Sequence, residues 1–316
     1  MKHTIYIFII FGFFAISSCQ KKLDIDLPEA EKKIVVNGLL STDSLIKVNV
    51  SKSIGILDNT KIEFLTNANV KLYKNDTFIE NLVSSGNGNF VSSFTPEINS
   101  NYKITVDYNN LKSVNTNTTL KNPVPILSID TLSEIQIYNY DGYSDTTTIY
   151  HFKLKLSDNV NENNFYFLNF SGLQPIYEFI DDQYVITGYE ESNFYFNSED
   201  PVFNNENSYF TLNKMDGRCF NDELFNGKEY TIDFEFQYNK YMFGTFGEPA
   251  QLSTFYINLL TIPDALYYYI NSYNLNQYTQ YDPFAQPVRI YSNVENGLGI
   301  VTGYTLSKDS VLINNQ

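Results

Sequence analysis

The constraint that most narrows the fold is an alternation of apolar and polar residues between short breaks rich in Asn, Asp and Gly. Tyr102, Ile104, Val106 and Tyr108 alternate with Lys103, Thr105 and Asp107, and Ile46, Val48 and Val50 alternate with Lys47 and Asn49. A period of two puts one face of a strand in a core and the other in water. Val70 and Leu72 share one face of the stretch 68–73. Asn75-Asp76 then turns the chain into 78–83, and Gly86-Asn87-Gly88 turns it into 90–94. Asn109-Asn110 marks a further tight turn before Lys112 to Leu120, since Asn tolerates the positive φ that hairpin turns require. About seven such strands without a helical stretch predict an immunoglobulin-like β-sandwich over residues 34–121.

Lys121-Asn122-Pro123-Val124-Pro125 reads as a link, because two prolines bias the backbone to an extended form. A second β-rich domain is expected over 126–316. Tyr150, Phe152, Leu154 and Leu156 alternate with His151, Lys153 and Lys155, and Tyr230, Ile232, Phe234 and Phe236 alternate with Thr231, Asp233 and Glu235. Phe165 to Phe170, Ile176 to Ile186, Phe194 to Phe196 and Leu252 to Leu260 read as further strands, as do Val288 to Tyr291 and Gly299 to Leu306 near the end. One segment departs from this pattern. Pro263 and Asp264 have the chemistry of a helix start, and Leu266, Tyr269, Ile270 and Tyr273 follow at helical spacing. A helix is predicted near 264–278.

The chain opens on Lys2, an apolar run from Ile5 to Ile16, and then Ser17-Ser18-Cys19. The run suits a signal peptide and is shorter than the roughly 20 residues a membrane-spanning helix needs. Small residues directly before a Cys resemble a bacterial lipoprotein box. The expectation is a signal peptide over 1–18, acylation of Cys19 and a tether over 19–33. Each acyl CH₂ contributes about 0.8 kcal/mol on burial, so two or three chains hold firmly where one holds marginally. Gln20 after Cys19 gives no inner-membrane retention signal, which points to the outer membrane, with the cell surface favoured over the periplasmic leaflet.

Removing Lys2 with the signal leaves 20 bases against 36 acids, a net charge near −16. That argues against nucleic acid, which demands basic phosphate contacts, and against a polybasic lipid-binding face. With Cys19 acylated, Cys219 is the remaining thiol, and it is expected to be buried. His151 is the one histidine left after the signal, on the strand face shared with Lys153 and Lys155, which is the wet face. Neither a zinc site nor a Ser-His-Asp triad can be drawn from this set. Asp158 to Asn164 superficially resembles a calcium loop, yet it lacks the required Gly and Glu positions. Many carboxylate pairs exist and none stands out for glycoside hydrolysis. There is no phosphate loop or dinucleotide fingerprint, and no cofactor is expected. A tyrosine stripe remains. Tyr267, Tyr268, Tyr273, Tyr278 and Tyr281 sit on or just past the helix, where some must be exposed, and tyrosine is favoured at interfaces for its contact area and polar tip.

Several stretches together resemble one lipoprotein family, domain of unknown function 4249. These are Leu23-Asp24-Ile25-Asp26-Leu27-Pro28 followed by Ile34-Val35-Val36-Asn37-Gly38, the join Asn122 to Asp130, and Asp222-Glu223-Leu224-Phe225-Asn226-Gly227-Lys228. The most specific is the closing run from Asp282-Pro283-Phe284 through Asn296-Gly297-Leu298-Gly299-Ile300. The resemblance implies an outer-membrane lipoprotein of Gram-negative bacteria, often encoded beside a TonB-dependent transporter, and it implies no catalytic residues. A structural role is read for the closing run, with Gly297 and Gly299 allowing tight backbone and Pro283 and Pro287 fixing a loop beside the helix end. The expected function is therefore non-enzymatic: an accessory or substrate-capture partner of an outer-membrane β-barrel transporter. The alternatives are an independent glycan- or peptide-binding surface lipoprotein and, more remotely, a carboxylate-based hydrolase.

Overall fold

The structure is a computed structural model that describes residues 31–55, 58, 60–140, 143–160, 162–203, 209–239, 254–282 and 284–312. The expected signal peptide, Cys19 and most of the tether lie outside the described residues, as does Pro283.

Eight strands come first: β1 (Ile34–Ser41), β2 (Lys47–Lys52), β3 (Asn69–Lys74), β4 (Thr77–Asn81), β5 (Val83–Gly86), β6 (Asn89–Val91), β7 (Asn101–Asp107) and β8 (Val114–Thr119). The alternation works as read: Val70, Leu72, Tyr102, Ile104 and Val106 are buried, while Lys71, Lys103 and Thr105 reach the surface. The turn residues Asn75, Asp76, Asn87 and Asn109 all take positive φ. Strands β4-β3-β7-β8 form one sheet. It faces β1, β2 and β6 across a shared core that includes Ile34, Val48, Phe90, Tyr102 and Ile104. That core also takes in Val294 and Val301 from the far end of the chain.

The remaining strands are β9 (Ile126–Tyr140), β10 (Tyr143–Ser157), β11 (Phe165–Ile180), β12 (Gln183–Asn193), β13 (Phe210–Leu212), β14 (Met215–Asn221), β15 (Glu229–Asn239), β16 (Thr254–Ile262) and β17 (Val301–Leu312). A single helix among the described residues, α1 (Asp264–Thr279), precedes β17. The chain is thus mainly β with one late helix. One long sheet runs in the order β13-β14-β11-β16-β17-β1-β2-β6-β5, with β12 paired on β11. Its continuity rests on β17, which pairs antiparallel with β16 and parallel with β1, placing Gly38 opposite Val301 and Ser41 opposite Tyr304. The three strands β15-β10-β9 form a separate sheet.

β11 explains why part of the sequence reads as continuously apolar. Tyr166, Leu168 and Phe170 face the β15-β10-β9 sheet and form an aromatic core with Phe152, Phe234 and Phe255. Phe167, on the opposite face, packs with Cys219, Leu260, Leu266 and Ile270 under α1. A strand covered on both faces has no wet side to record in its sequence.

Three expectations are corrected. Ile176 to Ile186 is not one strand. Asp181 and Asp182 take positive φ at the tip of the β11–β12 hairpin, where both central residues of a tight turn need that conformation. Phe194 to Phe196 is not a strand either; the rings of Phe194 and Phe196 enter the aromatic core from irregular backbone. Val288 to Tyr291 forms no strand. Pro287 supplies no N–H, and helix side chains take up the neighbouring backbone groups, as described below.

Candidate functional site

α1 begins where Pro263 and Asp264 place it, with Asp264 Oδ1 accepting a hydrogen bond from the Ala265 N–H at 2.7 Å. Its faces divide the tyrosines. Leu266, Ile270 and Asn274 are buried against the sheet. Tyr267 packs on Phe165 with ring centroids 4.7 Å apart, and Tyr273 packs edge-on to Phe210 at 5.6 Å. Burial pushes the hydroxyls of Tyr267 and Tyr269 above the usual phenol range, so both stay neutral at neutral pH. Tyr268, Ser272, Leu275 and Tyr278 project from another face. Their spacing of three to four residues stacks them along one side of the helix.

Opposite this face runs the segment 288–292. Asn276 Nδ2 donates to the Val288 carbonyl at 2.7 Å, and the Tyr291 N–H donates to Ser272 Oγ at 2.8 Å. Two helix side chains thereby strap the segment beside the helix. The Tyr268 and Tyr291 rings meet at 5.8 Å at one end. Between helix and strap lies a groove of about 1020 Å³, walled by Tyr268, Leu275, Tyr278, Ile290 and Tyr291, with Asn271 on its floor. Tyr278 is 65 % exposed and Leu275 52 %. Arg289 is the one charged residue of the lining, and it forms no ion pair or hydrogen bond with the described residues. The whole chain has only two arginines. The other, Arg218, is half-buried over the Phe203 ring and donates to the Phe203 carbonyl.

Of the five tyrosines singled out in the sequence, the structure brings Tyr268 and Tyr278 into the groove. Tyr267 and Tyr273 serve packing, and Tyr281 is exposed past the helix end without lining the groove. Arg289, Ile290 and Tyr291 were missed, because that stretch reads as a closing strand. The scarcity of arginine was the signal available for one of them.

Other chemistry-bearing residues have structural partners. Tyr166 Oη and the Gly227 N–H both donate to Asp158, and the Asn164 N–H donates to Asp222 at 2.8 Å. The stretch that resembles a calcium loop therefore spends Asp158 on the protein itself, and its other carboxylate, Glu162, pairs with Lys121 at 3.0 Å. Among the described residues no group of three or more His, Cys, Asp or Glu could hold a metal ion. His151 is half-buried, 3.8 Å from Glu134 and 3.9 Å from Glu235, too far for hydrogen bonds. It borders a second cavity of about 800 Å³ with Glu199, Arg218 and Asp233.

Cys219 is fully buried beneath α1, its thiol directed at Asn271 Oδ1 at 3.4 Å. Burial pushes its pKa up to about 12, so the thiolate that would react is absent at neutral pH. Iodoacetamide at pH 8 should leave the Cys219 peptide unmodified in the folded protein and alkylate it fully in urea, as read by mass spectrometry. Equal labelling in both states would show that the helix does not seal the thiol.

Residues 20–310 match the family described as domain of unknown function (DUF4249). The chain belongs to this family. No curated protein matches it. The DUF4249 match spans both cores, α1 and the strap, so the groove is built wholly within the family region.

Proposed function

We propose that this DUF4249 chain is an outer-membrane lipoprotein, held by acyl chains on Cys19, that works without catalysis as an accessory or substrate-capture partner of a TonB-dependent outer-membrane transporter. The observation that carries the binding half of this reading is the groove. Its volume of about 1020 Å³ lies at the upper end for ligand sites, and aromatic and aliphatic walls with a few polar groups suit capture. Among the described residues no carboxylate, thiol or imidazole lines it; its ionisable groups are Arg289 and the hydroxyls of Tyr268, Tyr278 and Tyr291. The apolar run ending at Ser17-Ser18-Cys19 supports the anchor, and the excess of 36 acids over 21 bases supports a body that stays off anionic lipid surfaces.

The test is affinity purification of the full-length protein, tagged after Gln316, from its own detergent-solubilised outer membrane, with a Cys19→Ser variant as the unanchored control. A stoichiometric β-barrel transporter is expected with the wild type and not with the variant. A lone lipoprotein, under conditions that preserve a known complex, would discard the transporter and leave a surface protein that captures its ligand unaided.

A further inference from the structure

The strap has a property that the walls of the groove do not explain. Among the described residues from 286 to 293, no backbone N–H or C=O pairs with another backbone group. The Val288 carbonyl and the Tyr291 N–H are taken by helix side chains, and Asn293 holds the end of the segment through its side chain to Val301. The groove is thus bounded by a helix on one side and, on the other, by main chain that no other described backbone pairs. Unpaired main chain at the edge of a structure is a template for an added strand.

Charge narrows the occupant further. In a chain with a net charge of −15, the described lining of the groove carries a single charged side chain, and it is a cation, Arg289, which pairs with no carboxylate among the described residues. A guanidinium presents a planar fork matched to a carboxylate. Leu275, Val288 and Ile290 ask for apolar side chains, set between the hydrogen-bonding groups of Asn271, Ser272, Tyr278 and Ser292.

We infer that the groove between α1 and residues 288–292 binds an extended peptide, which adds as a strand to the strap, places apolar side chains against the helix and sets a free C-terminal carboxylate on Arg289. This rests on the reading of the groove as a capture site and names the class of molecule captured.

The test uses the full-length protein in detergent, immobilised through a tag after Gln316. It is exposed to a pool of random hexapeptides ending in either a carboxylate or a carboxamide, and retained peptides are sequenced by mass spectrometry. Peptides with a free carboxylate and apolar residues at alternate positions should be enriched about tenfold over the carboxamides. Arg289→Gln should abolish that preference, and Leu275→Asp should remove retention; both positions are exposed, and circular dichroism checks that each variant folds. Retention no better than with Leu275→Asp, or a carboxylate preference that survives Arg289→Gln, would overturn the assignment. If tetragalacturonate is held in the groove and no peptide is, the capture reading stands and the peptide falls. Loss of the barrel in the purification above would leave the peptide result untouched.

Discussion

Truncating Phe170 to alanine should lower stability by about 3–5 kcal/mol. Its ring is fully buried, with centroids 5.0 Å from Phe152, 5.1 Å from Phe255, 5.4 Å from Phe236 and 5.6 Å from Phe234. Those neighbours come from β10, β16 and β15, so Phe170 is where the long sheet and the three-stranded sheet meet. Rings anchored on separate strands cannot all collapse into one void, and the edge-to-face contacts are lost as well. The chain has no tryptophan, so urea unfolding is best followed by circular dichroism. Phe170→Leu keeps much of the volume and should cost less than half as much. A urea midpoint that barely moves for Phe170→Ala would mean that the two sheets are held together elsewhere.

Gly299→Ala should cost at least about 3 kcal/mol by combining two penalties. Gly299 has φ +104, a conformation that side chains avoid, and a Cβ there would sit 2.2 Å from the Val36 carbonyl oxygen. That carbonyl belongs to β1, which cannot yield without losing its register. The Gly38 N–H donates to Ile300 and the Val36 N–H to Leu298, both at 2.9 Å, on either side of the glycine. Gly86 provides the comparison. Its φ is +93, but nothing lies within 4 Å of the added carbon. Gly86→Ala should therefore show conformational strain alone, about 1 kcal/mol. Thermal melts of both variants separate the close approach from the backbone strain. Equal losses would remove the contact with β1 as a cause.

How much could be read beforehand depended on what each residue faces. β7 was legible because Lys103 and Thr105 meet water while Tyr102, Ile104 and Val106 do not. α1 was legible to within a residue at its end, because Pro263 and Asp264 act locally and Leu266 and Ile270 repeat at helical spacing. The strand read from Ile176 to Ile186 runs through the turn at Asp181-Asp182, since the flanking apolar residues look alike on both arms of the hairpin. Gly299 was read as tight backbone, but its partner Val36 could not be named. No local rule announces a parallel pairing between opposite ends of a chain. The groove was half visible for the same reason. Tyr268 and Tyr278 follow from helix geometry, whereas Arg289 and Tyr291 matter only because Ser272 and Asn276 hold the strap against the helix.

The parallel pairing of β1 with β17 sets the order in which this protein can assemble. Asn37 accepts from the Ile300 N–H at a sequence separation of 263. Contacts between such distant points form slowly, because the entropy of closing the loop is lost before any pairing rewards it. Until β17 arrives, β1 has a partner on one side alone and Val301 is missing from the core that β1 helps to enclose. The first strand to emerge is thus among the last to be completed. Any state in which the other strands have formed and the final strand has not leaves the edge of β1 open to pairing with another chain.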